Sequence, residues 1–401
     1  MGTPEQAPPA PARLTSVDAY RGLVMFLMMA EILKFGLIAK AASGNRFWEF
    51  LAYHQSHVEW VGCSLHDLIQ PSFSFLVGVS LPFSLAARRR HGQSEPTMAL
   101  HAFWRAFVLV WIGIVLRSLW NSIPDYGFTD TLSQIGLGYG FLFLLALRPA
   151  RDQWVAFGVI LIGYWLIFAM WPAPGPDCEW GSVGVMPEWL SQNGLDGFAT
   201  HWSKNANAAA AFDQWFLNLF PREKTFIFSN GGYQVLNFIP TLATMILGLI
   251  AGGVLKEGRG PRLTLQLLTV VGLVGLAAGY GLGQFGVCPV VKRIWTPSWV
   301  LFSGGWCLLL LAGFYAVTDV GGWRRWAFPL VVVGTNSIAA YCMSASFVKP
   351  EIHKMVLRHI GVNAFNILGP QYQPLLHGLT TLAVMWLILY WMYQRKLFIK
   401  V

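Results

Sequence analysis

Residues 68–85 carry no charged side chain, and runs of this kind recur along the whole chain. Inside a bilayer every backbone N–H and C=O must be satisfied within the protein, which leaves only packed helices or a closed barrel. Most of these runs are close to the 20 or so residues a helix needs to cross the hydrocarbon, about twice the length of a barrel strand. We place ten spans at 18–40, 63–87, 99–120, 131–147, 154–172, 233–255, 263–284, 297–317, 327–347 and 374–394. Composition agrees: only 12% of residues are charged, against about a quarter in soluble domains. The expected fold is an all-α polytopic membrane protein. Residues 1–15 read as a Pro/Ala-rich tail and 16–401 as a single transmembrane domain, with one long extramembrane segment at 173–232.

Basic residues orient the bundle, because short cytoplasmic loops are enriched in Lys and Arg. With the N-terminus inside, the cytoplasmic ends receive Arg13, Arg21, Arg88, Arg89, Arg90, Arg105, Arg148, Arg151, Lys256, Arg259, Arg262, Arg324, Arg325, Arg395, Lys396 and Lys400. Those are 16 of the 28 Lys and Arg; the rest are spread over longer far-side segments. Ten spans then place both termini in the cytoplasm. The tail has neither the basic start nor the apolar core of a signal peptide. The net charge of +9 reads as this bias plus attraction to membrane lipid or an anionic co-substrate, with no nucleic acid implied.

Ionisable groups at the mouth of the second span point to function. His54, His57 and Glu59 precede it, and His66 and Asp67 lie about a turn inside its start. Such groups at membrane depth are costly unless they line a polar cavity, so they mark a candidate site; the bland alternative is a wet helix start capped by Asp67. No Cys/His spacing suggests a metal site. Cys178 and Cys288 both fall in far-side loops and are able to pair on topological grounds. Gly281, Gly283 and Gly286 spell a dinucleotide fingerprint, but with no strand before them they read as a helix-packing surface. In 173–232, Phe212, Trp215, Phe216 and Leu219 recur at helical spacing, which predicts a short amphipathic helix on the membrane or over a cavity. No broken-helix pair of the kind found in many transporters is evident.

A series of short motifs adds a resemblance. Ser16-Val17-Asp18-Ala19-Tyr20-Arg21-Gly22 opens the first span; His57, Trp60, Gly62, Asp67-Leu68-Ile69 and Pro71 open the second. Gln134-Ile135-Gly136, Leu236-Asn237-Phe238-Ile239-Pro240-Thr241, Lys292-Arg293-Ile294-Trp295-Thr296-Pro297 and Gly334 with Asn336-Ser337-Ile338 follow in order. In series these resemble the heparan-α-glucosaminide N-acetyltransferase family, including its bacterial DUF5009-type members. The resemblance implies a multi-pass inner-membrane enzyme that passes an acetyl group from cytoplasmic acetyl-CoA to an amino sugar on the periplasmic side. It maps the family's active-site histidine onto His57 and the accompanying aspartate onto Asp67. Ser133-Gln134 replaces the family's usual Gln-Arg, and Glu31 stands near a missing Asn, so the heparan acceptor itself is not carried over.

The chemistry asks for a base to take the amine's proton, a role suited to histidine, with an aspartate to set its tautomer. The histidine is equally able to carry the acetyl group itself. Asp18 and Arg21 share a helical face at the cytoplasmic start and are candidates for the CoA phosphates, or a helix-end ion pair. Asn237 and Asn336 are cofactor-side candidates or helix-helix hydrogen bonds. Glu31, His54, Trp60, Lys292 and Trp295 are candidates for holding the sugar, although Glu31 could simply pair with Lys34. No metal is expected. The partners are the acceptor and lipid, with a homodimer open. An amino-sugar transporter and a glycan O-acetyltransferase are the rival readings.

Overall fold

The computed structural model describes residues 14–399, so nearly all of the tail expected at 1–15 lies outside the described residues. The described residues form sixteen α-helices and no strand: α1 (Thr15–Ala30), α2 (Phe35–Ala41), α3 (Arg46–His54), α4 (Ile69–Arg90), α5 (Glu95–Ser118), α6 (Thr131–Ala146), α7 (Ala150–Ala169), α8 (Pro187–Asn193), α9 (Ala208–Leu217), α10 (Phe238–Glu257), α11 (Pro261–Gln284), α12 (Pro297–Phe314), α13 (Phe328–Thr335), α14 (Ser337–Ala345), α15 (Val348–Ile360) and α16 (Gln373–Gln394).

Seven helical segments are long and apolar enough to cross a membrane, or nine if each of two bent pairs is one span. The seven contain α4, α5, α7, α10, α11, α12 and α16. The first expected span, 18–40, is bent by 42° between Leu33 and Phe35; the ninth, 327–347, is bent by 67° between Thr335 and Ser337. The fourth, 131–147, is α6, which at 16 residues is shorter than a full span. The expectation of unbroken helices is therefore corrected at two places. Lys34 takes the left-handed conformation at φ 52° and ends the first segment; Asn336 breaks the other with φ −123° and ψ 40°. Neither break is at a proline, so hydropathy alone passes over both.

The burial pattern separates inner from outer helices. Most of the spans containing α4 and α10 is buried, 61% and 67%, against 17% for α5 and α11, which turn most of their apolar surface outward. The α4–α10 crossing depends on two glycines. A Cβ on Gly78 would meet the Met245 carbonyl oxygen at 1.9 Å, and one on Gly248 would meet that of Phe75 at 1.9 Å. Missing side chains allow backbones to approach this closely in membrane bundles. On α11 the tight contacts fall at Gly275 and Gly279 against α12 rather than at Gly281, Gly283 and Gly286.

The segment at 173–232 covers the end of the bundle where α4 begins. Trp202 is fully buried and stacks on Phe168 of α7 at 6.3 Å. The expected amphipathic helix is α9: Phe212 and Phe216 pack with Phe128 and Phe220, while Trp215 and Leu219 remain exposed. All five cysteines are free, so Cys178 and Cys288 do not pair; Cys288 is fully buried and accepts a hydrogen bond from Ser298.

Candidate active site

Two loops that lead into spans are zipped together at one end of the bundle. Gly62, at φ 126°, donates its N–H to the Val290 carbonyl (3.0 Å), and Val61 bridges Val291 in antiparallel fashion. Only glycine adopts that φ without strain, and the bend it makes turns the chain from His57 back towards the start of α4. Arg293 ties a third segment to the pair, donating to Gly231 O (2.7 Å) and reaching Val58 O (3.4 Å). Its neighbour Lys292 is thereby carried beside His57.

Three side chains meet there. His57 Nδ1 lies 2.8 Å from Asp67 Oδ1; Lys292 Nζ lies 3.0 Å from His57 Nδ1 and 3.3 Å from Asp67 Oδ1. The other carboxylate oxygen accepts from Val58 N, Ser64 N and Ser64 Oγ at 3.0–3.2 Å. Asp67 is 1% exposed and Lys292 6%, so the carboxylate and ammonium neutralise one another out of water. With His57 donating Nδ1–H to Asp67 and Lys292 donating to the same oxygen, both contacts to the carboxylate are hydrogen bonds, and the 3.0 Å approach of Lys292 to His57 is a close pass between two donors. Nε2 of the imidazole is then unprotonated, and 39% of the side chain stays exposed to take up a proton.

His57 and Lys292 line a cavity of about 350 Å³ with Glu31, His66, Gln70 and Tyr341. His66 stands 4.5 Å from His57 between ring centroids. Glu31 does reach this cavity, but its partner is Lys349 of α15 at 3.0 Å rather than Lys34, because the chain turns away at the Lys34 break. The expected sugar-facing aromatics lie elsewhere. Trp60 is 1% exposed and donates to Trp202 O (3.1 Å); Trp295, also 1% exposed, donates to Thr244 Oγ1 (3.2 Å). Neither ring faces the cavity. Both are core, because an indole's large apolar surface is buried once its N–H has a partner. His54 accepts from Leu65 N (3.1 Å) and holds the loop instead.

A second cavity, of about 450 Å³, opens where α1 begins and α4 ends; its polar lining includes Arg21, Ser80, Arg88, Arg105 and Tyr139. Arg21 bonds Ser80 and lies 3.7 Å from Asp18. Arg105 donates to Tyr139 Oη (3.2 Å) with its guanidinium over that ring, and its buried Nε has no partner. Asn336, fully buried, accepts from Ile399 N, while its Nδ2 is unpartnered beside this cavity. Asn237 is not at this end. It donates to Arg293 O (2.8 Å) near the His57 cavity, a hydrogen bond that joins α10 to the zipped loops. Arg88 and Arg105 were not expected here; the sequence shows them only as loop-end basic residues. Their spacing of 17 residues, across a turn between two spans, was the signal available. Among the described residues no three His, Cys, Asp or Glu side chains cluster to hold a metal.

No family model matches the chain. Among curated proteins it is similar to heparan-alpha-glucosaminide N-acetyltransferase of Homo sapiens, 25% identical over 375 residues, which cover 82% of this chain and 52% of that protein. The Mus musculus protein of the same name is 24% identical over 460 aligned residues, covering 100% of this chain and 64% of its own length. The chain resembles this family along most of its length. The resemblance read from the motifs is thus present at family level. The chain spans between about half and two thirds of the length of these relatives.

Proposed function

We propose that this chain is a transmembrane N-acetyltransferase that takes acetyl-CoA at the cytoplasmic face and acetylates an amino sugar at the opposite, periplasmic face of a bacterial inner membrane. The observation that carries this reading is the pairing of two cavities along one bundle, with arginines at one end and the His57–Asp67–Lys292 cluster at the other. Ten crossings, with both termini on the cytoplasmic side, go with it. Arg21, Arg88 and Arg105 supply charge-assisted donors for the CoA phosphates, and the N-terminus of α14, where Ser337 and Ile338 line the same cavity, adds a favourable dipole.

At the far cavity the acceptor's ammonium is drawn by Glu31 and Asp130, both of which line it. The ammonium first releases one proton to water, and the neutral amine nitrogen then attacks the thioester carbonyl carbon and forms the C–N bond. His57 Nε2 takes the proton that leaves nitrogen, and Asp67 balances the imidazolium. Collapse of the tetrahedral intermediate re-forms the carbonyl as that of the amide, breaks C–S, and returns the proton from His57 to the departing thiolate. Lys292 keeps the buried Asp67 from standing as a lone charge.

Labelled acetyl-CoA sealed inside right-side-out vesicles should acetylate external glucosamine, and acetyl-CoA added outside should not. Transfer with both substrates outside would overturn the sidedness. The two bent spans favour one alternative, an amino-sugar transporter, since interrupted helices commonly line translocation sites. Accumulation of unmodified glucosamine without acetyl transfer in the same vesicles selects that alternative.

A further inference from the structure

The same five helices, α1, α4, α5, α6 and α14, line both cavities. On α4, Gln70, Phe73, Val77 and Ser80 fall at steps of three or four and so share a face. Gln70 borders the His57 cavity, Val77 and Ser80 border the Arg21 cavity, and Phe73 borders both. On α14, Ser337 belongs to the Arg21 cavity and Tyr341, one turn on, to the His57 cavity. On α1 the change comes between Arg21 and Met25, and on α6 between Leu132 and Thr131. All five helices therefore pass from one cavity to the other, α5 between Leu109 and Arg117, and α4 does so at the level of Phe73. At that level Phe73 and Tyr341 lie nearly parallel, 9° apart with ring centroids at 6.3 Å, and both are almost fully buried.

We propose that the stacked Phe73–Tyr341 pair is the seal between donor and acceptor compartments. These are positioning residues that part for a slender thioester arm and close behind it, keeping water, ions and the nucleotide end from crossing. The inference rests on the donor entering at the Arg21 end. Two features give the seal its mobility. Tyr341 rides on a nine-residue half-helix, α14, which follows the 67° break, and the side chain of the residue at that break, Asn336, is held through Oδ1 alone. A small rotation of α14 moves the tyrosine ring without disturbing the long α4–α10 contact. Aromatic rings suit the task because they fill the passage with apolar surface, and the one polar side-chain group of the pair, the hydroxyl of Tyr341, is hydrogen-bonded to Thr131.

The test needs no turnover. Val77→Cys, one turn towards the Arg21 end from Phe73, is placed in proteoliposomes of known orientation. A charged, membrane-impermeant thiol reagent is added to one side at a time, and peptide mapping tells the label from that on the five native cysteines. With both rings present, label should arrive only from the Arg21 side. With Phe73→Ala added, it should arrive from either side at equal rate. Tyr341→Phe keeps the ring and should stay one-sided. Label from the His57 side with both rings intact, or one-sided label after Phe73→Ala, overturns the proposal. Should Phe73→Ala fail to assemble, Tyr341→Ala takes its place with the same readouts. Acetyl transfer measured alongside keeps the two readings apart: label that becomes two-sided in a protein transferring no acetyl group upholds the seal and defeats the donor reading.

Discussion

Asp67→Asn is the substitution that best separates the chemistry of the cluster from its stability. The amide keeps the carboxylate's shape, so no cavity forms. It has one acceptor oxygen, however, and three donors already converge on Oδ2 from Val58 and Ser64. They claim that oxygen, which turns the amide NH2 towards His57 Nδ1 and Lys292. An N–H donor facing Nδ1 forces the ring proton onto Nε2, the atom that has to accept the amine's proton. Loss of a general base in this way lowers kcat by about 10²–10⁴. Meanwhile Lys292 loses a carboxylate 3.3 Å away, at a place where the two side chains are 7% and 2% exposed. Breaking one member of such a buried pair costs roughly 3–5 kcal/mol of stability.

The two losses come apart in a second variant. Lys292→Met on top of Asp67→Asn removes the orphaned ammonium and should restore most of the thermal stability in detergent, while the turnover stays low. Vesicle kinetics that resolve kcat from KM, run beside thermal unfolding, read both quantities. The reasoning is refuted if Asp67→Asn keeps more than about a tenth of the wild-type rate, or if the double variant is no more stable than the single one.

His57→Ala should reduce acetyl transfer by about 10²–10⁴ with normal assembly, since its side chain is partly exposed and contributes little packing; an unassembled protein would instead make His57 structural. Arg105→Gln removes a guanidinium from the Arg21 cavity, and a lost charge-assisted contact of about 1.5–3 kcal/mol raises the KM for acetyl-CoA roughly 10- to 100-fold, less at high salt; an unchanged KM removes Arg105 from the donor site. Asp213, fully buried on α9, has its carboxyl pushed up to about 7 by burial, with Val235 N–H and Arg222 pulling the other way. The folded state then holds the proton better than the unfolded chain, whose carboxyl titrates at 3.8. Its stabilising contribution is therefore full below that pH and lost as pH rises through 7. Thermal unfolding of Asp213→Asn should vary less than wild type between those values, and parallel profiles would reject the assignment.

Much of the architecture was legible because membrane spans are written in hydropathy. Each of the ten expected segments coincides with helix, including α6, which is short, and His57 and Asp67, singled out at the mouth of the second span, do converge. What was not legible depends on contacts distant in sequence. Lys292 reads as a candidate for holding the sugar, and only the Val61–Val291 bridge sets it beside His57, 235 positions away. Trp60 and Trp295 read as sugar platforms because an indole in a polar loop has no sequence mark that separates a binding face from a core. The breaks at Lys34 and Asn336 escaped notice because polar residues in an apolar run signal cost, not conformation.

Charge bookkeeping along the chain treats all cations alike, yet their partners differ by location. At the His57 end, cations near the cavity have carboxylates in reach: Lys292 with Asp67, Lys349 with Glu31 at 3.0 Å, Arg117 with Asp125 at 2.9 Å and Arg293 with Glu59 at 3.8 Å. At the other end several surface arginines are also paired, Arg89 with Glu95 and Arg148 with Asp152. The two that line the second cavity with Arg21 have neutral partners, Arg88 with Gln93 and His101 and Arg105 with Tyr139, and no carboxylate within ion-pair distance among the described residues. Buried or half-buried cations left this way produce a standing positive potential, and a potential of one sign in a low-dielectric cleft draws an anion. The two cavities thus differ in what they attract. One is neutralised around a histidine; the other is kept positive, as the proposed binding of phosphates there would require.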